Sequence, residues 1–135
     1  MKKIVLLPMD ERPCNYKFPK RLFENEEIQI IEPQILGFKK DGADYNIIKD
    51  FLCKECKDAY GLIISMDMLL YGGLIPSRIH HQDEERLRKK LDTIKELKKE
   101  NPSLKIFAFQ CIMRCPNYSS SDEEPDYYEY YGKQI

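Results

Sequence analysis

The sequence has no long hydrophobic run and no excess of charge of either sign, and each absence excludes a class of function. Its opening apolar stretch, Ile4–Leu7, ends at Pro8-Met9-Asp10-Glu11-Arg12, too short and too charged for the core of a signal peptide. Nothing approaches the ~20 consecutive apolar residues that a membrane-spanning helix needs, so no membrane is expected as a partner and a cytoplasmic location follows. The 22 basic residues are matched by 23 acidic ones, a net charge of −1, which leaves no field to gather nucleic acid. Also missing are the Gly-x-x-x-x-Gly-Lys-Ser/Thr and Gly-x-Gly-x-x-Gly loops, a Ser/His/Asp order and a Gly-x-Ser-x-Gly elbow, so neither a nucleotide cofactor nor a serine hydrolase is indicated and the cofactor stays unknown. Cysteine is present in an odd number, five, and without an export signal these are expected to be free thiols.

What is there is an alternation of apolar runs and amphipathic stretches. Ile4–Leu7, Ile28–Ile31, Leu62–Ser65 and Lys105–Phe109 read as strands, continuous in apolar character as in a parallel sheet. Asp10–Phe18 reads as a polar loop, with a short helix over Lys20–Asn25 and a loop over Gln34–Gly42. Ala43–Lys57 is a helix capped by Asp44, with Tyr45, Ile48, Leu52 and Cys56 on one face. A longer helix spans Asp83–Glu100, with acidic residues in its first turn, an apolar stripe of Leu87, Leu91, Ile94 and Leu97, and a stop at Asn101-Pro102. Between them, Met66 to Gln82 is expected to be a loop.

With no hairpin signal between strands, this order predicts an α/β fold: an open, mainly parallel, Rossmann-like sheet of about four strands with flanking helices. The first half of a (β/α)8 barrel is the alternative. Residues 1–135 read as a single α/β domain with an atypical acidic, Tyr-rich tail over 116–135. Because the chain starts on a core strand and ends on a half-formed helix, it is expected to be the leading part of a longer protein, with a missing carboxyl-terminal region or self-association as its possible partner.

In a parallel sheet the loops leaving the strand carboxyl ends share one edge, where ligand crevices form. Asp10 and Asp67 fall just past strands, where a general base or metal ligand would sit; pairing with Arg12 or Arg78 is the structural alternative. Arg12, Arg78 and Arg114 carry planar forks suited to carboxylate or phosphate. Three of them on one crevice would repel one another unless an anion or an Asp lay between. Asn15, Tyr71 and Ser77 complete the polar set, and Gly72 and Gly73 would either admit a ligand to the backbone or make a tight turn.

No metal site is expected. Cys53-x-x-Cys56 ends a helix at the amino-terminal edge of the sheet, whereas Cys111-x-x-x-Cys115 follows a strand at the other edge. A five-residue strand separates those edges by roughly 15–20 Å, against zinc–sulfur bonds of about 2.3 Å. Cys14, beside Arg12, could be a thiolate, but a structural thiol is favoured. His80-His81 reads as an exposed pair before a helix.

Two stretches carry a family resemblance: Lys3–Tyr16, containing Leu7-Pro8-Met9-Asp10-Glu11-Arg12-Pro13-Cys14-Asn15, and Asp67–Arg78, containing Tyr71-Gly72-Gly73-Leu74-Ile75-Pro76-Ser77-Arg78. They resemble the signatures of the bacterial family called domain of unknown function 4127. The resemblance covers the whole chain but only the amino-terminal part of the family, whose members are several-fold longer, and it brings no activity and no catalytic residues. The functional expectation therefore rests on the strand ends. It is an enzyme domain, a hydrolase or isomerase, acting on a small polar ligand, anionic or sugar-like, with Asp10 and Asp67 as catalytic residues and Arg12, Asn15, Tyr71, Gly72, Gly73, Ser77, Arg78 and Arg114 as binding residues. A non-catalytic interaction domain is the alternative.

Overall fold

The computed structural model describes all of residues 1–135. Four strands form one parallel sheet: β1 (Lys2–Leu7), β2 (Ile28–Ile31), β3 (Gly61–Ser65) and β4 (Lys105–Phe109), in the order β2-β1-β3-β4. Val5 pairs with Ile31 on one side and Leu62 on the other. A barrel half would run in sequence order. The placement of β1 between β2 and β3 instead makes this an open α/β sheet, the Rossmann-like arrangement, and rules out the barrel alternative.

Because side chains alternate along a strand, the sheet has two chemically different faces. Val5, Leu7, Leu62 and Ile64 are fully buried against Ile48 and Leu52 of α2 (Tyr45–Glu55), Cys56 at its carboxyl cap and Leu97 of α5 (Glu84–Glu100). Each such side chain contributes roughly 1.5–3 kcal/mol. This face therefore dominates the stability of the domain over single caps, which are worth about 1 kcal/mol each. Asp44 and Asp83 are those caps, each accepting backbone N–H bonds at the start of its helix. Thr93, fully buried on α5, shares a 2.6 Å hydrogen bond with Tyr45 of α2. At the amino-terminal edge, the Asn101 side chain donates to the carbonyls of Cys56 and Ala59, at 2.9 and 3.0 Å. One amide thereby ties the end of α2 and the approach to β3 to the end of α5.

The other face is covered by α1 (Pro13–Phe23) alone, and that helix has no fully buried residue. Ile4, Leu6, Ile63, Phe107 and Phe109 line an apolar trough of about 510 Å³ beside it. Ile63 is 39% exposed, Phe107 63% and Phe109 40%.

Three local readings are corrected. The expected polar loop over Asp10–Phe18 is mostly helix. Pro13 sits at the first helical position, where its missing N–H is no loss, and the helix runs on through Pro19. The expected loop after β3 is two short helices, α3 (Met66–Tyr71) and α4 (Leu74–Ile79), the first capped by Ser65, whose hydroxyl accepts from Met68 N–H. Leu91, placed on the buried stripe of α5, is 41% exposed, and Thr93 takes the inward position. In the tail the helical part is confined to α6 (Tyr128–Tyr131) and a following 3-10 turn.

Candidate functional site

Local sequence explains how each polar group is held at the carboxyl edge. Asp67 lies in the first turn of α3, a position favourable to a carboxylate, and is only 2% exposed. Its Oδ2 accepts the backbone N–H of Cys111 at 3.0 Å, which pins the segment leaving β4 to the segment leaving β3. The Cys111 thiol in turn meets the Met9 thioether, 2.9 Å away, in the segment leaving β1. Three strand ends thus converge on Cys111. Its thiol pKa is raised by burial first, then by the charges of Asp67 and Asp10, while Arg78 and Arg12 oppose the shift. Both predicted carboxylates and two of the predicted arginines therefore act on one point.

The two carboxylates are not equivalent. Asp10, 4% exposed, accepts on Oδ1 from Arg12 N–H and Asn15 Nδ2, at 3.1 and 2.8 Å. Its Oδ2 accepts from Arg12 Nε at 2.8 Å and lies 2.6 Å from Nη2. Arg12 and Asn15 are thereby committed to Asp10, and the hydrogen bond to Asp10 is the leading cause of a raised Arg12 pKa. Asp67 has one oxygen held by Cys111 and makes no hydrogen bond with the other, and it lines a cavity of about 340 Å³. Tyr71, Ser77, Arg78, Gln110 and Arg114 also line that cavity.

Other predicted residues are placed as follows. The Ser77 hydroxyl donates to the Leu74 carbonyl at 2.5 Å, within its own helix. Tyr71 stacks on His80 with ring centroids 4.4 Å apart. Gly72 and Gly73 are buried and make the turn from α3 to α4, outside the cavity lining. Gly72 has φ of 85°, and a side chain there would meet the backbone N of Ala43 at 2.7 Å. This is the tight-turn role. Cys14 is exposed and lines the apolar trough instead. No cluster of three or more His, Cys, Asp or Glu side chains is arranged to hold a metal ion.

The sequence reading missed the groups that meet the arginines. Glu124, 3% exposed, lies 3.0 Å from Arg78 Nη1 and 3.6 Å from Arg114 Nη2, and it accepts from the Tyr118 hydroxyl at 3.2 Å. Glu123 lies 4.0 Å from Arg78 and 3.5 Å from Arg114. The signal was available: unbalanced arginines at the strand ends and a run of acidic residues in the tail, each a problem solved by the other.

An open parallel sheet whose strand ends converge on a buried carboxylate and paired arginines defines an α/β domain with a polar site at its carboxyl edge. The chain belongs to the family described as protein of unknown function (DUF4127), which matches residues 4–135 and so includes every residue of that edge. No curated protein and no solved structure matches the chain. No helix is long and apolar enough to cross a membrane.

Proposed function

We propose that this domain serves a cytoplasmic bacterial enzyme that acts on a small polar ligand, anionic or sugar-like, bound in the cavity between the ends of β3 and β4. The carrying observation is the asymmetry of the carboxylates. Asp10 has both oxygens filled, whereas Asp67, with one oxygen free of hydrogen bonds, lines a cavity walled also by Arg78 and Arg114. A buried carboxylate with an open oxygen beside a ligand is placed to accept a proton, and guanidiniums opposite it orient an anionic or hydroxyl-rich group. Asp67 is the general base in this reading, Arg78 and Arg114 bind, Tyr71 and Gln110 shape the wall, and Asp10 positions Arg12. Proton transfer in hydrolysis or isomerisation of a carbohydrate is the reaction class.

The test is a panel of sugar phosphates and sugar acids followed by ligand-observed NMR on the parent chain and on Asp67→Asn. The asparagine keeps the Cys111 hydrogen bond and removes the base. Binding retained with turnover reduced by about 10²–10⁴-fold, the usual contribution of a general base, supports the reading. Full turnover by the variant would sink it.

A second reading, a non-catalytic interaction domain, is favoured by the apolar trough on the α1 face. Its occupant would be one amphipathic helix lying beside α1 over Ile63, Phe107 and Phe109, completing the helical layer as α2 and α5 do opposite. Sedimentation showing a stable monomer that binds no apolar dye would count against it.

A further inference from the structure

The tail over 116–135 is attached to the domain by charge. The main apolar core ends with residues of β4 and takes no side chain from the tail. The tail packs largely on itself: Gly132 lies against the Tyr118 carbonyl, Ser121 donates to Glu129, and Lys133 N–H donates to Ser119. Its links outward are ion pairs, together with hydrogen bonds from Arg78 to the Glu123 carbonyl and from Arg114 to the Tyr118 hydroxyl. Asp122 meets Lys39 at 3.1 Å and Asp126 meets Lys40 at 3.0 Å, exposed pairs of the kind worth about 0–1 kcal/mol. Between these two clamps, Glu123 and Glu124 enter the strand-end site.

There they meet the residues that the site offers to an anion. Arg78 is the deepest, its side chain 9% exposed, and its Nε–H is buried with no acceptor even though Nη1 is paired with Glu124. A guanidinium reading a planar or tetrahedral anion uses two parallel N–H bonds, so this one is half-used. Arg114 approaches both glutamates, and Glu123 also adds, after Asp10, to the field on Arg12. Arg78 and Arg114, which would otherwise repel one another, are thus held together by two carboxylates supplied from the chain itself.

We infer that Glu123 and Glu124 are an internal stand-in for the ligand: their two carboxylates fill an anion site made by Arg78 and Arg114, and a compact ligand bearing two negative charges binds by displacing them. The inference rests on the ligand site proposed above and specifies its chemistry. Such a ligand satisfies the unused Nε–H of Arg78 and takes over the arginines that bond the Glu123 carbonyl and the Tyr118 hydroxyl, and the tail, then held by exposed pairs at its flanks, swings into water. The apparent affinity is then the intrinsic one divided by the reciprocal of the fraction of molecules with the tail displaced. A tail in place nine-tenths of the time weakens binding about ten-fold.

The experiment is calorimetric titration of malonate and of inorganic phosphate into the full 135-residue chain, the double variant Glu123→Gln/Glu124→Gln, and Arg78→Met. Glutamine keeps the volume of glutamate and can still accept from Arg78 and Tyr118, so the double variant is expected to fold. In parallel, hydrogen exchange of the Asp122–Asp126 amides is followed in the parent chain as anion is added, which needs no variant. The expected result is about ten-fold tighter binding by the double variant, loss of binding in Arg78→Met, and faster exchange in the tail of the parent on ligand addition. The stronger binder of the two distinguishes a dicarboxylate ligand from a phosphate ester. Equal affinity of parent and double variant, with binding still lost in Arg78→Met, would overturn the inference and leave the ligand site standing. No binding of either anion by any of the three proteins would overturn both.

Discussion

Arg78 Nη1 lies 3.0 Å from Glu124 Oε1, and the two side chains are only 9% and 3% exposed. A pair so withdrawn from water contributes little net stability, but breaking it leaves a charge stranded. The stranded charge here has an escape, because the tail that carries Glu124 can rehydrate without disturbing the core. Arg78→Met is therefore expected to lower global stability by only about 1–3 kcal/mol, below the 3–5 kcal/mol typical of a pair locked inside a core. It should also make the chain cleavable by trypsin at Arg114 or Lys133 before any other site. Urea unfolding and limited proteolysis check the two halves of this expectation, and a variant whose tail stays protected would contradict it.

The glycine pair makes a different kind of demand. Gly72 has φ of 85°, and a Cβ there would meet the backbone N and O of Ala43 at 2.7 and 2.8 Å. The left-handed conformation alone costs a residue with a Cβ roughly 1–2 kcal/mol, and the clash with backbone cannot be relieved by turning a side chain. Gly72→Ala should destabilise by about 2–4 kcal/mol, at the upper end of ordinary substitutions. Thermal unfolding measures it, and a loss below about 1 kcal/mol would mean that the turn yields.

Cys56 gives the fold a pH signature. Burial first, and then the neighbouring Cys53, push its thiol from an ordinary pKa of 9.0 up to about 12. The folded chain therefore holds this proton more tightly than the unfolded chain does. The stabilisation is complete below pH 9 and is lost as pH rises from 9 toward 12, with a slope of about 1.4 kcal/mol per pH unit. Comparing parent and Cys56→Ala by urea unfolding from pH 7.5 to 10.5 isolates this slope, since the alanine variant lacks it. Parallel curves would show that the thiol does not titrate as its burial implies. In the native protein the same thiol should resist alkylation, while the exposed Cys14 and Cys115 react first.

Periodicity and caps made the helices after Asp44 and Asp83 readable, along with the four apolar strands, because those signals lie within a few residues of each other. The short helices were not readable for the opposite reason. Met66–Tyr71 and Leu74–Ile79 are each six residues long, less than two turns. A single cap at Ser65 and the packing of α3 on the sheet decide their conformation, rather than any repeat. Pro13 reads as a loop residue in sequence although the first helical position suits proline equally well. Strand order, which separates an open sheet from a barrel, is a matter of pairing between distant segments and leaves no local trace. The site was half legible. Asp67, Arg78 and Arg114 could be placed on one edge from topology, and the sequence called for an anion or an Asp between the arginines. That the negative charge would be supplied by Glu123 and Glu124, 45 residues beyond Arg78 and more, needed coordinates.

The side chain of Asn101, bonded at once to Cys56 and Ala59, closes the end of the sheet opposite the charged cavity. The domain is consequently built like a clasp knife, with a fixed heel where α2, β3 and α5 share one amide. On the inference that the acidic tail lifts, the movement is at the free end. The heel shares no hydrogen bond with the arginines, so ligand exchange at the edge need not loosen the domain that carries it.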